Sequence, residues 1–135
     1  MKRSERGSNL VEFALVTFFI LIPILAGATD LGRAFHDYIA IANASREGAR
    51  YGSRFPALTT QIRATVKTEA SGAGVNLADA DITISFPDGP TSGKRIIVSI
   101  NHSMPTIFGG ILGVGAIPMT TKTEMIIYGP DIQGP

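Results

Sequence analysis

The sequence contains no cysteine, which excludes a disulfide framework and a thiolate metal site but does not locate the protein. It has no long run of like charge, and its formal net charge is only +1; it lacks the electrostatic footprint of a nucleic-acid binder. Histidine is scarce: His36 and His102 are isolated, with no second histidine or carboxylate at metal-ligand spacing. No nucleophile motif surrounds any serine. The glycine-rich stretch at 109–115 is not followed by the Lys-Ser/Thr of a phosphate-binding loop. Asp79, Asp81 and Asp88 lack the glycine and glutamate positions of a calcium loop and read as turn residues. We expect neither an enzyme nor a cofactor.

Charge is also missing from Phe13 to Thr29, FALVTFFILIPILAGAT. As a helix those residues cover about 26 Å, and including Ser8–Val11 brings the length to the ~30 Å of a hydrocarbon core. Lys2, Arg3 and Arg6 precede the span and favour a cytoplasmic N-terminus, with the remainder of the chain outside. Ala26-Gly27-Ala28 also fits a secretory cleavage site after Ala28. Against that reading, Glu12 places a carboxylate beside the apolar core, and the helical pattern continues through the supposed cut. An uncleaved signal anchor carrying an extracytoplasmic binding domain is the other alternative. Pro23 removes an amide donor and frees the Phe19 carbonyl, predicting a kink or local unwinding near 19–23 that serves packing or extraction from the bilayer.

Beyond the span, Leu31, Ala34, Phe35, Tyr38, Ile41/Ala42, Ser45 and Ala49 recur at helical spacing and predict one apolar face. Asp30–Arg33 and Arg33–Asp37 have ion-pair spacing on the opposite face. The helix is expected to end near Gly52 or Ser53, before Phe55-Pro56. From Ser8 to Gly52 it would measure about 68 Å, so its lower half needs lipid or other helices and its upper half a globular cap. Arg46, Glu47 and Arg50 form either a contact patch or a solvated ion-pair ladder. Gly48 costs about 1 kcal/mol relative to alanine in a helix, which points to close backbone approach by something.

Gly7 to Phe13, G-S-N-L-V-E-F, resembles the processing motif of type IV pilin-like proteins, and with D-L-G-R-A and A-S-R-E-G-A-R-Y it resembles the TadE-like proteins of the tight-adherence (Tad/Flp) pilus system. The matching positions are Val11, Glu12, Phe13, Asp30, Gly32, Arg33, Arg46, Glu47, Gly48, Ala49 and Arg50. Thr17-Phe18-Phe19 with the late Pro23 departs from the pattern. The resemblance implies that a prepilin peptidase cuts between Gly7 and Ser8, leaving Glu12 and Phe13 as fifth and sixth residues. It also implies that Glu12 pairs with the new Ser8 ammonium of a neighbouring subunit; a local Glu12–Ser8 contact at i, i+4 is the alternative. An unpaired charge in a low-dielectric setting is costly, which gives such pairing its force. The implied partners are that peptidase, identical or related pilin subunits, an inner-membrane assembly platform and the lipid bilayer. The implied location is the inner membrane, single-pass, and then an extracellular filament.

The remainder predicts an α+β fold of pilin-like plan. Leu58, Ile62 and Val66 share one face of a short helix capped by Thr59 or Thr60 and ending at Ser71-Gly72. Ile82, Ile84 and Phe86 alternate as a strand, 87–94 is a hairpin loop, Ile96, Val98 and Ile100 form a second strand, and Met119–Tyr128 a third. The uncharged stretch 104–119 is either a loop folded over the sheet or an apolar contact through Ile107, Phe108, Ile111 and Leu112. The expected organisation is a leader (1–7), a transmembrane and assembly helix (8–29), its amphipathic continuation (30–53) and a small α+β domain (54–135).

Overall fold

The computed structural model describes residues 4–128, apart from the side chains of residues 4–6, Ile111 and Leu112. The first part of the expected leader, residues 1–3, and the two apolar contacts expected of Ile111 and Leu112 therefore lie outside what is described. The fold is α+β. Helix α1 (Ser4–Val16) passes through a five-residue π-helical segment, Thr17–Leu21, into α2 (Ile22–Arg54). A widened turn directly before Pro23 has a physical reason: the proline ring has no N–H for the Phe19 carbonyl and would collide with it in regular α geometry. Helix α2 stops two residues before Pro56, because the residue preceding a proline is disfavoured in helical conformation. A second helix, α3 (Thr59–Gly72), follows, with Leu58 rather than a threonine at its N-cap and no side-chain cap.

Three strands form one antiparallel sheet in the order β1 (Ile82–Ser85), β2 (Arg95–Pro105), β3 (Ala116–Ile126). Ile82 lies opposite Ile100 and Ile84 opposite Val98, so the turn-rich segment 87–94 closes the first hairpin. Phe86 falls outside β1. The third strand begins three residues earlier than its apolar pattern predicts. With it, the uncharged stretch 104–119 becomes the end of β2, a short 3₁₀ turn at Gly109–Leu112 and the start of β3. That corrects the expectation of a loop lying over the sheet: the stretch is the tip of a long second hairpin, closed by Thr106 N–H donating to the Gly115 carbonyl.

The backbone divides into two compact units, the first made of residues up to Ala34 with Pro105–Ile117, the second of Phe35–Met104 with the segment from Pro118. The core of the second unit is Ile41 and Ala44 of α2, Ile62 and Val66 of α3, and Ile96, Val98, Ile100 and Met104 of β2, all essentially without solvent contact. Gly48 and Gly52 make this packing possible. A Cβ at Gly48 would overlap Cγ2 of Val66, and one at Gly52 would overlap Cδ1 of Ile96. Arg63 ties α3 to β1 by donating to the Ile82 carbonyl at 2.6 Å.

Candidate functional site

Between Leu10 and Leu25 nearly every large apolar side chain is exposed, all round the helix, including Phe13, Phe18, Phe19, Ile20 and Ile24. A helix apolar on every side and covered on none requires lipid or other helices around it. Gly7–Arg54 is long and apolar enough, by length and composition, to cross a membrane. Gly7, Ser8 and Glu12 lie on exposed helical backbone at the start of this element. In the uncut chain Ser8 carries no terminal ammonium. Pro23 is the second residue of α2, two residues past the end of the π segment.

The outer part of α2 departs from the single face that its periodicity predicts. Ala34, Ile41, Ala44, Ser45, Gly48 and Ala49 are buried, whereas Leu31 (62% exposed), Phe35 (65%), Tyr38 and Ile39 point outward. The inner face is made of small residues because the sheet and α3 approach closely there; Ser45 shares a 2.6 Å hydrogen bond with Thr123. The outward set, spaced i, i+4, i+7, i+8, is a second apolar stripe that the sequence pattern merged with the first. Among the positions expected to touch other subunits, Arg50 grips Glu47 through two hydrogen bonds of 2.7 and 2.9 Å, and Arg46 reaches Asn43 at 3.4 Å. The hydrogen bond from Arg50 holds the Glu47 carboxyl below its ordinary range. The close approach at Gly48 comes from Val66 of the same chain.

Asp30 is the other unexpected feature. It is only 5% exposed, not a solvated ion-pair residue. Its carboxylate accepts three successive backbone N–H groups, from Ile107 (3.0 Å), Phe108 (2.9 Å) and Gly109 (3.1 Å). Arg33 stands 3.4 Å away and also donates to the Pro105 carbonyl, so the expected Asp30–Arg33 pair forms, but around a backbone turn. The N–H of Ile107 is the main cause that holds the Asp30 carboxyl below its usual 3.8, with the N–H groups of Phe108 and Gly109 and the Arg33 charge overcoming the opposing effect of burial. Consecutive N–H groups form an anion-binding concavity, here filled by the chain's own carboxylate. Gly109 is required: a Cβ there would press on Thr106 and on the Val114 carbonyl. Gly113, at φ +78°, closes the turn in the left-handed region. Between this tip and α2 lies an apolar cavity of about 350 Å³.

The two histidines are less isolated than their spacing suggests. Asp37 stands 3.2 Å from His36 and 3.9 Å from His102. The three aspartates considered for calcium each have another partner: Asp79 pairs with Lys67, Asp88 with Arg95, and Asp81 accepts the Ala78 N–H. Among the described residues no group of His, Asp or Glu is placed to hold a metal ion.

Residues 7–50 match the family model described as TadE-like protein. This stretch is similar to TadE-like proteins. It begins at Gly7 and runs through the π segment, Asp30, the outward apolar stripe and the Glu47–Arg50 pair. No curated protein and no solved structure matches the chain. The match covers the long N-terminal helix and leaves α3 and the sheet outside it.

Proposed function

We propose that the chain is a TadE-like pilin or minor pseudopilin, a structural subunit that is trimmed after Gly7 and assembles through its N-terminal helix into a Tad/Flp-type pilus or related secretion filament. The observation that carries this reading is the placement of the TadE-like stretch on a helix whose large apolar residues are uncovered from Leu10 to Ile39. The lower part waits in the inner membrane, N-terminus inside, until neighbouring helices replace the lipid. Trimming by a prepilin peptidase removes Lys2, Arg3 and Arg6 and creates an ammonium at Ser8. Glu12 of one subunit then neutralises Ser8 of the next, which fixes axial register because any other offset strands a charge among apolar side chains. Leu31, Phe35, Tyr38 and Ile39 extend the contact above the membrane on the assembly platform.

Two variants separate the steps. Gly7→Leu is expected to remain untrimmed, and normal trimming contradicts the processing assignment. Glu12→Ala is expected to be trimmed but to fail to enter sheared filaments; wild-type amounts in that fraction contradict the pairing role.

A further inference from the structure

Three observations in the first unit concern the hairpin tip. First, its cavity is lined on the helix side by Ile22, Pro23, Ala26 and Gly27 and, at its outer end, by Asp30 and Leu31, and on the other side chiefly by Phe108, Val114 and Ile117. Of these, Pro23, Ala26 and Gly27 belong to the uncharged span that ends at Thr29, so at ~1.5 Å per residue they lie roughly 3–9 Å inside its outer boundary. Second, the tip held against them is uncharged and leaves Ile107 (60%) and Val114 (49%) exposed. Third, Asp30 binds the tip by three backbone N–H groups at the first residue beyond the span. A segment seated on residues inside the hydrocarbon layer is itself at that depth, and interfacial elements bury their apolar faces about 5–10 Å.

We infer that the 105–117 hairpin tip is a second membrane contact, resting in the outer-leaflet interface with phospholipid acyl chains filling the cavity between it and α2. Lipid is the occupant because the inner part of the cavity's helix wall, Ile22, Pro23, Ala26 and Gly27, belongs to the span and continues into its exposed apolar surface. Asp30 is the device that makes the insertion tolerable. Exposed amides in a bilayer interface cost free energy, and the carboxylate satisfies three of them at once. Arg33, beside Asp30 and half-exposed, places a guanidinium at the level of the phosphates. The inference rests on the membrane-spanning reading of the helix and is independent of trimming at Gly7.

The chain has no tryptophan, so single reporters can be read without background. Full-length protein carrying Ile107→Trp, Phe18→Trp or Thr91→Trp is reconstituted into phosphatidylcholine vesicles with or without brominated acyl chains, with helicity checked by circular dichroism. Phe18 lies within the span and Thr91 in the β1–β2 turn. Bromolipid is expected to quench Phe18→Trp and Ile107→Trp by about twofold or more, as suits residues within 5–10 Å of the acyl boundary, and to leave Thr91→Trp unchanged. Should Ile107→Trp lose helicity, Val114→Trp replaces it. Quenching of Phe18→Trp alone overturns the tip contact while leaving the span intact; failure of both overturns the span and the tip together. An Ile107→Trp shielded from both bromolipid and aqueous acrylamide means that a second copy covers the tip, which also overturns the inference.

Discussion

At Gly48 the absence of a side chain lets α3 lie directly on α2, with Val66 occupying the space a Cβ would need. Because Val66 is β-branched and stiff, it cannot rotate away cheaply. Gly48→Ala gains about 1 kcal/mol of helix propensity but incurs overpacking of about 1–3 kcal/mol. We expect a lower urea midpoint for the detergent-solubilised full chain, restored when Val66→Ala is added. A midpoint at or above wild type contradicts the packing role. Asp30 makes a different test possible. Its folded pKa is depressed, so the stability it gives the tip is fully present above its ordinary value near 3.8 and is lost as pH falls through the lower folded value. In an NMR titration the amides of Ile107, Phe108 and Gly109 are expected to shift together with a midpoint below 3.8. Asp30→Asn is expected to abolish that transition and to speed their hydrogen exchange by about tenfold or more.

The outer half of α2 shows what periodicity can and cannot convey. Recurrence at three and four residues correctly marks it as helix, yet it assigns Leu31, Phe35 and Tyr38 to the same face as Ala34 and Ile41. The structure separates them, because the inner face, Ile41 apart, is built from Ala, Gly and Ser, whose low hydrophobicity makes it inconspicuous beside the bulky outward set. Phe35→Asp therefore removes nothing from the core. Its effect on stability is expected to stay within about 0.5 kcal/mol, while incorporation into filaments falls sharply. A large drop in melting temperature with assembly preserved contradicts the assignment of Phe35 to an outward contact surface. The irregularity near Pro23 was legible in kind, since a missing donor must disturb the helix; its form as a π segment two residues upstream was not, since several distortions relieve the same clash.

For the whole molecule, the apolar span, the α+β class and the first hairpin were legible because hydrophobicity, charge and turn chemistry are local. The Asp30 anchorage was not. Its partners are main-chain N–H groups 77–79 residues away, and backbone amides leave no mark in side-chain pattern. The position of the uncharged 104–119 stretch depends on that contact, which is why the sequence left a loop over the sheet and an apolar contact side by side. What unites these features in the proposed account is an N-terminal helix freed of its basic leader and ready to exchange lipid for neighbouring subunits. Intact-mass measurement of the native protein tests that claim most directly. The account predicts a mature chain beginning at Ser8; a chain retaining Met1, or one beginning at Thr29, contradicts it.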